Sequence, residues 1–415
     1  MARNEGLAPS IENMISVEYL FMSPKCCIFK TPVILSRHNE KAYIPNAFSI
    51  GPFHHCNPNL KATEKIKAKY LQGLISRSPS PETKLRDLIN SIKAMEGEAR
   101  ECYAGPIDCS PELVDILVMD GCFIIELFRK NAYKCRRELD DPVFTMACML
   151  QFLYHDLILL ENQVPWMVLE GLFNMTIDPI RENKSLTQLA IEFFSNIFSS
   201  TDPGIVPPIQ DIKHIIDLLR KWLVLSTREQ EESRAGWQLM PCATSLVEAG
   251  IKFRRGKSTR SIMDIKFIDG VLEIPPLLIQ ETTETVFRNL ISFEQCFPNC
   301  EARFTSYAIL LDNLINTVKD MDILCENEII DNWLNPEDAT QFFNKLYHNA
   351  YVNEYYYLRL CSQVDEFRQR RWPRWRAVLV RNYFNTPWAI LSTLVAFILV
   401  VLTFLQTIYS MKQSS

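Results

Sequence analysis

Between Pro387 and Tyr409 the chain reads PWAILSTLVAFILVVLTFLQTIY, without one charged side chain, and Ser410 to Ser415 follow it. At about 1.5 Å of rise per residue, such a run extends roughly 30 to 35 Å as a helix. That is the hydrocarbon thickness that about 20 apolar residues cross. A helix buried in a protein core is seldom so long and so uniformly apolar, so the sequence predicts one transmembrane helix over residues 387–409 with a short tail at 410–415.

The first thirty residues carry Arg3, Glu5, Glu12, Glu18 and Lys25 and hold no apolar block of the length a secretory signal needs. The expectation is a tail-anchored, single-pass membrane protein with its body in the cytosol. Arg368, Arg370, Arg371, Arg374, Arg376 and Arg381 precede the span, whereas Lys412 alone follows it. That bias places the N-terminal flank on the cytoplasmic side. Trp372, Trp375, Tyr383, Trp388 and Tyr409 stand where aromatic rings gather at headgroup level. The six arginines suit contact with anionic lipid, at about 1 kcal/mol for each charge near the surface. A stop-transfer flank without lipid preference is the alternative.

Setting those arginines and Lys412 aside takes the formal net charge from −5 to −12 for the remaining residues. So acidic a body is a poor candidate for sequence-independent nucleic-acid binding, which depends on neutralising phosphates. The expected partners are therefore a lipid bilayer and a protein, with no nucleic acid. Thirteen cysteines, an odd number, include the adjacent Cys26 and Cys27 but no C-x-x-C pair, so neither a zinc ribbon nor a redox motif is indicated. Reduced, mostly buried thiols are the default.

The organisation read from these features is an arm at 1–27, a body at 28–365 with a break near 226–241, and a basic stem at 366–386. The fold class is mainly α: a large helical body, a small β-hairpin and short-strand element, and the C-terminal transmembrane helix. Asn335-Pro336-Glu337-Asp338 supplies a cap, a proline at the first helical position and first-turn acids. Apolar residues then recur from Ala339 to Ala350. Ile212 to Leu223 and Tyr307 to Val318 form two further single-stripe helices. Leu113 to Phe128 and Met146 to Leu160 are apolar on nearly all sides and should be central. Ile268-Asp269-Gly270 between apolar runs signals a hairpin, stopped by Pro275-Pro276.

Chemistry is harder to find. Gly250 to Ser258 resembles a phosphate loop but has five residues between its glycines where the motif needs four, so a basic turn is the reading. His54 and His55 are adjacent, and on an extended chain adjacent side chains point to opposite faces, which makes one shared metal ion a poor fit. No cofactor fingerprint is present. Asp120 and Glu126 lie in one apolar helix, Asp156 and Glu161 in another, and buried acids of this kind can have the raised pKa that a general acid uses. At 100° per residue the members of each pair sit about 120° and 140° apart, so a dyad would have to form between helices.

Five motifs carry a resemblance. They are Ile44-Pro-Asn-Ala-Phe-Ser-Ile-Gly-Pro-Phe-His-His55, Asp156-Leu-Ile-Leu-Leu-Glu-Asn-Gln-Val-Pro-Trp166, Met240 to Phe253, Phe287 to Cys296 and Tyr383 to Trp388. In this order they closely resemble the plant family called domain of unknown function 247, or UPF0481, from about Ile28 to Tyr409. The resemblance implies a flowering-plant protein with a mostly helical body, a C-terminal transmembrane helix and no accepted catalytic residue, some members being tied to pollen and stigma self-recognition. No functional residue carries over. Read from the residues themselves, Ser49-Ile-Gly-Pro supplies a tight turn, and Glu161-Asn-Gln closes an apolar helix by satisfying its open carbonyls. The sequence favours a protein-interaction or signalling component over its alternative, a membrane-bound enzyme with an inter-helix acid pair.

Overall fold

Helical segments follow one another along most of the chain. The computed structural model describes residues 23–107, 112–176, 183–198, 208–225, 238–256, 261–369 and 387–413. In its first part lie α1 (Glu64–Ile75), α2 (Pro81–Ala94), α3 (Glu96–Glu101), α4 (Leu113–Ala132), α5 (Ala147–Asp156), α6 (Trp166–Thr176) and α7 (Leu186–Phe194). The second part holds α8 (Ile215–Val224), α9 (Ala243–Glu248), α10 (Thr283–Cys296), α11 (Arg303–Leu314), α12 (Val318–Glu326), α13 (Pro336–Phe343), α14 (Leu358–Gln369) and α15 (Pro387–Gln413).

The all-round apolar character of α4 puts it at the centre, buried without a break from Asp120 to Lys130. Around it pack α1, α2, α6 and α7. A Cβ at Gly121 would overlap Leu172, so glycine sets how closely α6 can approach. Each fully buried Leu, Ile or Phe on α4 contributes about 1.5 to 3 kcal/mol. In the second part α10 packs against α8 and α11, and α12 against α9 and α13. One contiguous apolar cluster runs from Cys26 to Val364.

Strands β1 (Lys252–Arg255), β2 (Lys266–Ile268) and β3 (Val271–Ile274) form a sheet in the order β1-β3-β2. The expected hairpin is there: β2 and β3 pair antiparallel, and Asp269 and Gly270 both take positive φ, 49° and 78°, the requirement of a tight type I′ turn. The second pair, β4 (Leu277–Ile279) and β5 (Ile330–Asn332), is parallel. The segment read as a basic turn differs, because Lys252 to Arg255 is a strand running parallel to β3.

Local capping overrode the apolar stripe in two helices, and a third is shorter than its stripe. The stripe from Tyr307 to Val318 breaks after Leu314, because Thr317 and Asp320 make a reciprocal capping box that starts α12. The stripe from Ile212 begins its helix only at Ile215, where the His214 ring caps α8. Asn335 caps α13 as its sequence implies, but the helix ends at Phe343 and not near Ala350.

The C-terminal reading is corrected. Among the described residues no helix is long and apolar enough to cross a membrane. The C-terminal segment is helical, α15 running from Pro387 to Gln413. The transmembrane helix in the expected fold class, the tail-anchored topology and the single-pass membrane location are therefore withdrawn, and the fold class is mainly helical with a few short strands. Of the six stem arginines, Arg368 ends α14 and pairs with Asp365 at 3.2 Å. Arg370, Arg371, Arg374, Arg376 and Arg381 lie outside the described residues.

Candidate functional site

Residues 44 to 51 form no regular ladder, yet much of the segment is buried, so its amides need other partners. The acids singled out by sequence supply them. Asp156, at the end of α5, accepts the backbone N–H of Asn46 at 2.7 Å, Ala47 at 2.9 Å and Phe48 at 2.7 Å, and lies 2.9 Å from His155 Nδ1. Asn162 Oδ1 accepts from the Ile50 amide at 2.7 Å, and Asp120 Oδ2 from the Gly51 amide at 2.8 Å. Gly51 has φ of 72°, and a Cβ there would overlap the Gln163 carbonyl oxygen. The Ser49-Ile-Gly-Pro turn is thus a glycine requirement set by close backbone approach.

Asp120 faces a cation that sequence reasoning missed. Lys67 lies on α1 in a charged stretch, EKIKAKY, that reads as a solvated face, but it is fully buried. Its ammonium donates to Asp120 Oδ1 at 2.6 Å and to the Ser49 carbonyl, and pairs with Glu64 at 2.7 Å. Burial raises the Asp120 pKa more than Lys67 lowers it. Burial also opposes the charge on Lys67, but the attraction of Asp120 and Glu64 outweighs it and raises that pKa. Because both Asp120 oxygens accept hydrogen bonds, we assign the pair as ionised.

Glu126 is held by both terminal nitrogens of Arg77, at 2.9 and 2.5 Å, a bidentate arrangement. Glu161 sits nearer the surface, accepting the Thr31 amide at 2.8 Å and facing His54 Nε2 at 3.6 Å. Burial lowers the His54 pKa, with Glu161 opposing. The structure therefore sends the four acids to four sets of partners and does not assemble them into a dyad. The sequence reading that Glu161-Asn-Gln ends this helix holds in part: α5 already ends at Asp156, whose carbonyl takes the Asn162 amide, and Gln163 donates to the carbonyls of Leu157 and Leu159 just beyond it.

A second set of buried acids lies in the other part of the body, where the one local signal is the capping-box spacing of Asp320 from Thr317. Glu294 on α10 pairs with Arg220 at 2.7 Å and accepts the Phe304 amide at 3.0 Å, the Thr305 amide at 2.8 Å and the Thr305 hydroxyl at 2.7 Å. Asp320 accepts from the amide and hydroxyl of both Thr244 and Thr317. Burial alone would raise the Asp320 pKa, but these donors together lower it. A cleft of about 260 Å³ lies elsewhere, lined by Arg255, Leu277, Cys325, Glu328 and Asp331, and none of the four sequence-nominated acids lines it. Among the described residues no three His, Cys, Asp or Glu side chains gather as metal ligands would.

What this geometry defines is a helical body whose buried acids are taken up by its own amides and cations. The chain belongs to the family DUF247, described as a plant protein of unknown function, which it matches over residues 28–402. It is similar to a UPF0481 protein of Arabidopsis thaliana, 26% identical over 409 residues, covering 92% of this chain and 85% of that relative. A putative UPF0481 protein of the same plant is 22% identical over 486 residues, covering 94% of this chain and 90% of the relative. No solved structure matches the chain.

Proposed function

We propose that this protein is an interaction component of a recognition or signalling assembly, and that its helical body presents a binding surface and carries out no chemistry. The observation that carries the reading is the occupation of the candidate acids. Both oxygens of Asp120, of Glu126 and of Asp156 accept from internal amides or cations, so a substrate proton would have to displace a structural bond. A general acid must instead reach the reacting group directly. The formal charge of −12 outside the arginine stem and Lys412 favours a partner with a basic surface, since complementary charge steers encounter.

Chemical cross-linking of the full-length protein in plant extract, followed by mass spectrometry, tests this. At least one protein should be recovered in stoichiometric amount, with recovery falling as salt is raised. The reading fails if the purified chain turns over a substrate from a hydrolase and transferase panel and Glu161→Gln abolishes turnover while the fold is retained.

A further inference from the structure

Apart from the main core, Cys27, Ile28, Cys102 and Tyr103 pack into a small buried cluster of their own. It is organised by an isolated parallel bridge between Ile28 and Tyr103, closed by the Ile28 amide on the Cys102 carbonyl and the Ala104 amide on the Ile28 carbonyl, each at 2.9 Å. Cys27 and Cys102 each stand one residue before a bridge partner, and the Cys27 amide also donates to the Cys102 carbonyl at 2.9 Å. Bridged backbones lie about 4.8 Å apart, inside the Cα separation of about 4.4 to 6.8 Å that a disulfide spans. The two side chains share one packed cluster, in which the Cys102 thiol donates to the Glu98 carbonyl at 3.4 Å. The Cys27 carbonyl is held from its other side by His214 Nε2 at 3.0 Å, which fixes the backbone that carries the thiol.

We propose that Cys27 and Cys102 are a redox pair that closes to a disulfide when the protein meets a peroxide. The roles of the two sulfurs differ. The contact from Cys27 lowers the Cys102 pKa, burial opposes, and Lys25 and Lys213 add attraction, whereas the same contact and burial raise the Cys27 pKa. Cys102 is also the more exposed of the two, at 7% against 1%. The thiolate is the attacking species, which makes Cys102 the sulfur that meets the oxidant. Its sulfur takes one oxygen of hydrogen peroxide, the O–O bond breaks, and the departing hydroxide gains a proton to leave as water. The Cys27 sulfur then attacks the Cys102 sulfenic acid, the S–O bond breaks, and the second water leaves with the Cys27 proton. Two thiols are oxidised, one peroxide is reduced, and a thiol reductant reverses the bond.

The bond would tie the chain at Cys27 to the end of α3, fastening the N-terminal segment to the body. To test it, reduced full-length protein is exposed to hydrogen peroxide under native conditions, alkylated, digested and mapped by fragmentation mass spectrometry. Expected is a peptide containing Cys27 joined to one containing Cys102, lighter by two hydrogens than the reduced pair, in most of the molecules. The link should be restored to thiols by dithiothreitol, lost in Cys27→Ser and Cys102→Ser, and kept in Cys26→Ser. In Cys27→Ser, dimedone should label Cys102. Recovery of both residues as thiols while exposed Cys135 and Cys148 oxidise would overturn the proposal, as would a link through Cys26 in place of Cys27. The wild-type map needs no substitution, so a variant that fails to fold leaves the test standing.

Discussion

Asp156 spends its carboxylate on three successive amides of a segment with no strand neighbour, whereas Glu294 spends its own on the first amides of α11 and on Arg220. The chemistry is the same in both places, a buried carboxylate accepting backbone N–H groups. What differs is what the backbone could do without it. A helix end keeps most of its internal bonds and loses a cap. The stretch from Asn46 to Gly51 has Asp156, Asn162 and Asp120 where a strand would have a neighbouring strand, and without them its amides stay unpaired in the interior. The comparison teaches that an acid in an apolar helix can replace secondary structure.

The largest effect should follow Asp156→Ala. Three amides lose their acceptor at about 1 to 3 kcal/mol each, for a loss of about 5 kcal/mol. A urea midpoint read by circular dichroism measures it, and a loss smaller than that of Glu294→Ala breaks the comparison. Glu294→Ala strands Arg220 in the interior, and removing one partner of a buried pair costs about 4 kcal/mol. Replacing Arg220 by Met in the same chain should return part of that loss, which a double-mutant cycle reads directly.

Between these regions His214 caps α8 through Nδ1, which accepts the Asp217 amide, and reaches the Cys27 carbonyl through Nε2. Those partners assign the neutral ring with its proton on Nε2. Burial lowers its pKa from 6.5 to about 4. Between those values the unfolded chain binds the proton and the folded one does not, so the stability is fully present above about pH 6.5 and lost as pH falls toward 4. The loss amounts to about 3 kcal/mol. Urea midpoints at pH 7 and 4.5 should show it in the wild type and much less of it in His214→Gln. Smallest of the series is Asp320→Ala, about 2 kcal/mol, because the helix starts it serves near Thr244 and Thr317 are only partly buried. A loss equal to that of Asp156→Ala would show that caps and irregular segments depend on their acids alike.

Several elements were legible because their signals are local. The all-round apolarity of α4, the Asp269-Gly270 turn, the Asn335 cap and the closing role of Asn162 and Gln163 each depend on residues within a few positions. The break at Ile315 to Thr317 was legible too, in the Thr317 to Asp320 spacing, but the apolar stripe running through it masked the capping box. The acids were found as buried acids and their task was not, since Asp156 meets amides more than a hundred positions away. The apolar run at the C-terminus set an expectation of a membrane span on composition alone, and among the described residues the helix there does not meet it.

By itself the sequence determined membership in its family, the helical class of the body and the positions of its turns, because periodicity, glycine conformation and capping act over short distances. Only the tertiary structure decided that Lys67 goes inside, that Asp120 and Asp156 hold an extended segment, and that Cys27 meets Cys102. The partner of a buried polar group is whatever packing brings within hydrogen-bond reach, and packing joins residues whose separation along the chain carries no pattern.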